Sequence, residues 1–512
     1  MSENNTNNKR IARNMVFNVG VFVVNLCISF FLSPYLIRTV GKEAYSFYPL
    51  ISNLVGYTSI ITTAVGSMAG RFITMELYGG NKREAQGYFN SVLFAYWLLS
   101  LVFGVLFFVG VIYIDAILTI PNQLVTTVRW MFALSAVSLL IGMDTGLLGI
   151  GTYIKNRIDL RASRDFTTTV IHALVIIVLF SLFVPNVVYV SVAGLCTTLI
   201  GVIFNIQFKK RLLPELKFHP HREHSWKKVR TLVSSGIWNS VNQLSNVLLT
   251  QLDLLITNIF ISAAATGDYA LAKMAPNIIY GLLAVLSGTF MPNFNILYAQ
   301  GKMEELIHEA KKSMKIIGVI ICLPIGFLLV FADEFFHLWV PSVDSDYLYW
   351  LSFLTVLPMI FGSSVNPIFG IFTITNRLRV PSLVLLIAGI LNTTAVFLLL
   401  KFTSLGIWAI PIVAGVQHGL RNFFFTPIYA AVCLKQPLFT FYPTVMKCCL
   451  ALASVAAIGL GVKACMTGDT WPSLFVEGVV MVLCALPLNM FVIMNKGERA
   501  YLFSTVKRLI SR

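Results

Sequence analysis

The sequence predicts an all-α, polytopic membrane protein with about fourteen transmembrane helices, on three observations. Of its 512 residues, 57% are hydrophobic and 12% charged, with a mean hydropathy of +0.79. A soluble domain carries about 25% charged residues, so a water-facing shell around this much apolar material is not available. The apolar residues gather into runs of about 20, the length a helix needs to cross a hydrocarbon core of roughly 30 Å. Finally, the basic residues concentrate in the short connections on one side of those runs.

Taken in order, the chain begins with a basic start (Lys9, Arg10, Arg13) and a first apolar run over 14–37. That run is too long for a signal-peptide core, and no A-x-A pattern follows it, so it is expected to be an uncleaved span. The further spans are expected over 45–66, 88–113, 128–150, 166–184, 187–207, 232–260, 270–294, 316–336, 347–373, 381–400, 407–432, 444–463 and 473–494. Gly, Pro, Asn and Asp mark many of the connections. Pro185-Asn186 is the tightest, and it demands an antiparallel helix pair.

Of the 38 Lys and Arg residues, Arg38, Lys42, Arg129, Lys401 and Lys463 fall on the outer side when the N-terminus is placed inside. Lys273 and Arg421 fall within spans, and all the others fall on the cytoplasmic side. One missed span would invert every later loop and destroy this asymmetry. Both ends are therefore expected in the cytoplasm. The formal net charge of +16 would suggest nucleic acid in a soluble chain, but here it reports topology, and no nucleic-acid partner is expected.

The basic loop Phe208 to Arg230, with Lys209-Lys210-Arg211 and Lys227-Lys228, is the longest on the inside. It divides the chain into an expected six-helix lobe over 1–207, a cytoplasmic linker over 208–230, a second six-helix lobe over 231–432, and two extra helices with a basic tail over 433–512. Ser67, Leu77, Tyr78 and Lys82 recur as Ser287, Leu297, Tyr298 and Lys302, a faint echo of one half in the other. Repeated halves are common in secondary transporters, with the substrate path between them. Outer loops are short, which argues against sugar polymerases and ligases that work on a large outer loop.

Polar side chains inside a span must face a partner, another helix or water. In the seventh span Asn239, Asn242, Asn246, Thr250 and Asp253 recur at spacings of three and four, with Gln243 beside them, so they share one helix face. Two readings are open: the wall of a hydrated cavity, or hydrogen-bonded helix packing. The eighth span carries Lys273, Asn277, Tyr280 and Ser287, the first Asn14, Asn18 and Asn25, and the second Asn53 and Ser67, with Arg71 near its inner end. The twelfth carries Gln417, His418, Arg421 and Asn422. For Asp253 and Lys273 an ion pair competes with separate roles, the cations attracting an anion while the carboxylate takes up H+ or Na+.

Eight cysteines, mostly within spans, lack C-x-x-C or zinc spacing. The cluster His219-Pro220-His221-Arg222-Glu223-His224 likewise fits no metal motif. With no Walker A motif, nucleophile elbow or catalytic carboxylate pair, no cofactor, metal or enzymatic activity is expected.

The segment Leu36-Ile37-Arg38-Thr39-Val40-Gly41-Lys42-Glu43-Ala44-Tyr45 resembles that of the bacterial polysaccharide (Wzx-like) flippases of the multidrug/oligosaccharidyl-lipid/polysaccharide exporter superfamily. The resemblance continues through Gly66, Arg71, the turn Gly80-Asn81-Lys82-Arg83-Glu84-Ala85, Leu252-Asp253 and Thr266-Gly267-Asp268-Tyr269. It runs from about residue 12 to 495, with Ser46 standing where the family often has Gly. It implies two six-helix lobes in a V plus two added helices, in a bacterial inner (plasma) membrane. It also implies transfer of a polyprenyl-diphosphate-linked oligosaccharide to the outer leaflet, for O-antigen, capsule or similar surface polysaccharide. The partners implied are that lipid-linked oligosaccharide, membrane lipids, an H+ or Na+ coupling ion, and polysaccharide polymerase and export proteins. On this reading Arg71, Lys273 and Arg421 contact the diphosphate or an anionic sugar. Asn18, Asn25, Asn239, Asn242, Asn246 and Asn277 line the sugar path, and Asp253 couples or pairs. A drug/cation antiporter, a lipid II flippase and a membrane glycosyltransferase or polymerase are the rival readings.

Overall fold

The computed structural model describes Gly20 and residues 24–155, 157–217, 224–466, 469–495 and 497–499. Among these, all regular secondary structure is helical. Asn14 and Asn18, the basic start and His219 to Glu223 lie outside the described residues.

Among the described residues ten helices are long and apolar enough to cross a membrane, including Lys82–Ile117, Asp159–Leu182, Val188–Leu212, Met303–Trp339, Tyr442–Cys465 and Trp471–Ile493. The other expected spans fall on the shorter apolar helix Val24–Val40 and on three interrupted rods. Lys42–Gly56 gives way to Ser59–Tyr78 at Tyr57-Thr58. A π turn, Val247–Gln251, separates Trp226–Asn246 from Leu252–Phe260. A second π turn, Arg421–Phe425, separates Ala409–Leu420 from Thr426–Cys433. A π turn widens the helix by one residue and leaves carbonyls free for other donors, and such turns concentrate at functional sites.

Two helices overrun the bilayer. Lys82–Ile117 has 36 residues and Met303–Trp339 has 37, which at 1.5 Å per residue is about 55 Å each. Their first turns are charged, with Glu84 in one and Glu304 and Glu305 in the other, where carboxylates favour the positive end of the helix dipole.

One turn recurs before and after such rods. At the end of Ser59–Tyr78, Asn81 N donates to Glu76 O at 2.9 Å and Gly80 N to Leu77 O at 3.4 Å, with Gly80 at φ 85°. Lys302 N to Leu297 O (3.0 Å) and Gly301 N to Tyr298 O (3.0 Å), with Gly301 at φ 70°, repeat it. This is the Schellman ring, whose pivot must take a left-handed conformation. The geometric match pairs Gly80 with Gly301, so the two halves are out of step with the side-chain echo by one residue at this turn. The same ring closes at Asn376 (φ 54°) and at Lys435 (φ 54°), the latter without the freedom of glycine.

The chain forms two compact units, one comprising Met1–Gly267 with Ser382–Thr393, the other Asp268–Pro381 with Thr394–Arg512. In the first, Trp226–Asn246 packs along Ser59–Tyr78. A Cβ on Gly236 would strike the Ala64 carbonyl, so the two backbones touch there. The chain leading into that helix is stitched to Lys82–Ile117. Lys217 N donates to Gln86 Oε1 at 2.6 Å, Ser225 N to Ser91 Oγ at 2.9 Å, and Lys228 Nζ meets Glu84 Oε2 at 3.0 Å. Ser46 is fully buried and donates to Glu43 O at 2.7 Å. Gly267, which bears no side chain, lies against Lys42 and Ser46, so the serine fits where its extra bulk would otherwise press on a neighbour. Ser382–Thr393 joins this unit because Thr393 Oγ1 and Asn392 Nδ2 both donate to Leu248 O, at 3.2 and 3.4 Å.

In the second unit Met303–Trp339, Tyr442–Cys465 and Trp471–Ile493 pack into a three-helix group. Gly318, Gly326 and Gly459 let Cys448, Val455 and Val330 approach the opposing backbones, the close packing that small residues permit in membranes. Lys315 Nζ to Glu498 Oε1 (2.7 Å) ties one end, and Lys463 Nζ to Asp333 Oδ1 (2.6 Å) the other.

Candidate functional site

Trp226–Asn246 meets Ser59–Tyr78 through a polar seam. Asn239 Nδ2 donates to Ser67 Oγ at 3.1 Å and Gln243 Nε2 to Ser59 Oγ at 2.9 Å. Where the π turn ends, Gln251 O accepts from both Asn53 Nδ2 and Tyr57 Oη at 3.2 Å. The helix hydrogen-bond ladder is shifted at that point, so this carbonyl is free to receive two side chains from around the Tyr57-Thr58 break. Part of the polar stripe thus serves helix packing. Asn246 remains exposed, Asn242 is half-buried, and Thr250 bonds back to Asn246 O at 2.8 Å. Asp253 is buried at 3% exposure in the first turn after the π segment. Asn25 is exposed.

Beside this seam, wholly within the first unit, lies a cavity of about 740 Å³. It is lined by Ser59, Thr62, Ser67 and Arg71 from Ser59–Tyr78, Tyr96 from Lys82–Ile117, Met143, Leu147 and Thr152, and Arg161 and Arg164 from Ile158–Leu182. Gly66, Gly70, Gly142, Gly146 and Gly149 leave backbone bare along its wall. The spacing Gly66-Gly70 and Gly142-Gly146 puts each pair on one helix face.

The three arginines differ in their attachments. Arg164 is anchored, donating to Asn205 Oδ1 at 2.7 Å and to Asp165 Oδ1 at 2.7 Å. Arg161 stands 3.9 Å from the Asp165 carboxylate and is mostly exposed. Arg71 is exposed and has no hydrogen-bond or ion-pair partner among the described residues. Among the described residues no carboxylate lines the cavity; Asp165 offsets part of the charge of Arg161 and Arg164, and the remaining charge is positive. In the sequence Arg71 stands out near the inner end of a span, whereas Arg161 and Arg164 count only toward the cytoplasmic charge. The four-residue glycine spacing was the signal that could have found the cavity wall.

The second unit holds another basic group. Lys273 lies 5.3 Å over the Tyr269 ring, and Asn277 and Tyr280 follow on the same helix face, both exposed. Arg421 opens the second π turn, donating to Asn422 Oδ1 at 3.1 Å and facing His418 Nδ1 at 3.4 Å. Its guanidinium sits 5.7 Å over the Phe369 ring, and the His418 ring lies 6.4 Å from that of Tyr280. A cation on an aromatic face is stabilised while its N–H groups stay available. Among the described residues no group of three or more His, Cys, Asp or Glu side chains could hold a metal ion.

A family model described as "Polysaccharide biosynthesis protein" matches residues 11–297. Over 494 residues the chain is 26% identical to the uncharacterized membrane protein EpsK of Bacillus subtilis (strain 168), a match that covers 95% of this chain and 96% of that one. Among solved structures, lipid II flippase MurJ in an inward closed conformation aligns with 93% of this chain and 98% of its own, at 14% identity and a TM-score of 0.65. A multidrug resistance MATE family transporter of the MOP superfamily, inward-facing, aligns with 81% of this chain and 94% of its own, at 14% identity and a TM-score of 0.57. These structural likenesses establish the fold. The chain is an all-α, multi-pass membrane protein that belongs to the polysaccharide biosynthesis protein family.

Proposed function

We propose that this protein is a flippase that moves a polyprenyl-diphosphate-linked oligosaccharide from the cytoplasmic to the outer leaflet of a bacterial plasma membrane. The observation that carries the proposal is the glycine-walled cavity bearing Arg71, Arg161 and Arg164. A diphosphate needs cations that fork around its oxygens, and arginine supplies them in a planar geometry. Bare backbone and the hydroxyls of Ser59, Thr62, Ser67 and Thr152 suit sugar hydroxyls, which both donate and accept. On the expected positive-inside topology these arginines stand toward the cytoplasmic face, the side from which the proposed lipid-linked sugar is loaded. Lys273 and Arg421 are the corresponding anion contacts proposed for the second half, with Asn242, Asn246 and Asn277 toward the sugar. The family match and the fold shared with lipid II flippase MurJ support the same reading. A cavity without carboxylates argues against a cationic drug as substrate. The test is a deletion strain fed with labelled sugar precursor: lipid-linked oligosaccharide accumulates on the cytoplasmic face and surface glycan is lost. Normal surface glycan in a strain with no second exporter rejects the proposal.

A further inference from the structure

The three-helix group of the second unit contains a carboxylate with no evident structural reason. Glu477, on Trp471–Ile493, is fully buried, and neither of its oxygens meets a protein donor. Its neighbour is another acid, since Glu334 of Met303–Trp339 lies within hydrogen-bonding range of it. Glu334 Oε1 is 3.5 Å from Lys463 Nζ, while Glu334 Oε2 is buried and also without a donor. Lys463 is already committed. It holds both oxygens of Asp333, at 2.6 and 2.7 Å, and donates to Val330 O at 3.1 Å. Three carboxylates therefore face one ammonium.

The other groups packed around this spot add no positive charge. Tyr349, from Ser345–Val356, turns its hydroxyl onto Leu329 O at 3.0 Å. His337, three residues beyond Glu334, is exposed. Phe335 stacks on Trp339 at 5.4 Å and meets Trp471 edge-on at 6.1 Å, an aromatic cover beside the pair. A fully buried carboxylate without a donor, set against the half-buried Glu334 whose Oε1 faces the already committed Lys463, is costly to keep charged. One proton between them supplies the missing donor and removes one of the two excess charges. A metal ion is the weaker occupant, because no such ligand group is found among the described residues.

We propose that Glu334 and Glu477 form a carboxyl pair that holds one shared proton and exchanges it with the outer side, coupling transport to the proton gradient. Its role in coupling rests on the transporter reading above. On uptake, one proton adds to a carboxylate oxygen of the pair and the new O–H donates to the other acid. On release that O–H bond breaks, the proton passes to water on the Lys463 side, and two carboxylates remain with Lys463 as their nearest cation. Glu477 is joined by its own helix to Asn489, which is likewise fully buried with its amide unpartnered, so a shift of this helix on discharge gives both residues new partners.

The experiment is infrared difference spectroscopy of the purified full-length protein across a pH titration in H2O and D2O, paired with surface-glycan export measured against external pH. Wild type is expected to show a protonated-carboxyl band at neutral pH that E334Q and E477Q each abolish. E498Q, which removes an ion-paired carboxylate, leaves that band unchanged. Export by wild type follows external pH, and by E477Q it does not. A band that survives both substitutions overturns the proposal, as does thermal stabilisation by Na+ alone that E477Q removes. Gln is the isostere of the protonated acid, so failure of both variants to fold also contradicts a neutral pair. If the band behaves as expected while the deletion strain exports normally, the flippase reading fails and the proton site stands. Export that needs the protein but keeps its pH dependence in E477Q overturns the coupling role.

Discussion

Replacing Arg71 with Gln separates substrate binding from folding more cleanly than any other change to the cavity. Arg164 is bonded to Asn205 and Asp165, so removing it also leaves Asn205 short of a donor. Arg71 lines the cavity yet has no hydrogen-bond or ion-pair partner among the described residues. Its loss should change stability by no more than about 0.5 kcal/mol, the usual range for a surface substitution away from such contacts. A charge-assisted hydrogen bond to phosphate is worth about 1.5–3 kcal/mol. At about 1.4 kcal/mol per factor of ten, R71Q should weaken the diphosphate substrate roughly 10- to 150-fold. The assay is flipping of a fluorescent polyprenyl-diphosphate glycan in proteoliposomes at subsaturating substrate, with melting temperature read on the same preparation. R71K keeps the charge without the planar fork and should fall between wild type and R71Q. Unchanged flipping in R71Q, at unchanged melting temperature, would refute the assignment and leave Arg71 as a snorkelling side chain.

Three further outcomes follow from packing and charge. Lys435 pivots a Schellman turn at φ 54°, so K435G should stabilise the purified protein by about 1 kcal/mol, read as a higher melting temperature; a lower one contradicts the strain. A side chain at Gly236 would strike the Ala64 carbonyl, so G236A should cost about 1–3 kcal/mol and reduce folded yield; wild-type yield would show that the helices can part. The half-buried Glu498 is pushed up by burial, but hydrogen bonds from Lys315 Nζ and Asn495 N outweigh this and hold its carboxyl below the usual range. A folded-state value below the unfolded one gives stability that is full above the unfolded value of about 4.3 and lost as pH falls through the folded one. The melting temperature should therefore drop in that acidic window for wild type, and E498Q should flatten this part of the curve.

Apolar runs and the one-sided distribution of Lys and Arg made the membrane fold legible, because twenty-residue hydrophobicity and loop charge are local properties of the chain. The four expected spans that lack a long apolar helix are those where local reading weakens. The two π turns, Val247–Gln251 and Arg421–Phe425, arise from how hydrogen bonds settle against neighbours such as Asn53 and Tyr57, and no residue type announces them. Hydropathy likewise registers the membrane-length core of Lys82–Ile117 and misses its polar opening turns, which hold Gln86 against Lys217. Arg161 and Arg164 were read as loop charges because the start of their helix, Ile158–Leu182, lies outside the apolar run. Glu477 was passed over inside a span, since burial without a donor is visible once Glu334 from a helix far away in sequence is placed beside it.

Scoring the leaflet of the lipid-linked oligosaccharide in proteoliposomes that contain only this protein tests the flippase assignment without any other envelope component. A fluorescent polyprenyl-diphosphate glycan loaded on one leaflet should become accessible on the other, R71Q should slow this roughly 10- to 150-fold, and empty liposomes should show none. Retention of the glycan on its original leaflet, with correctly folded protein in the membrane and a proton gradient of either sign, would contradict it.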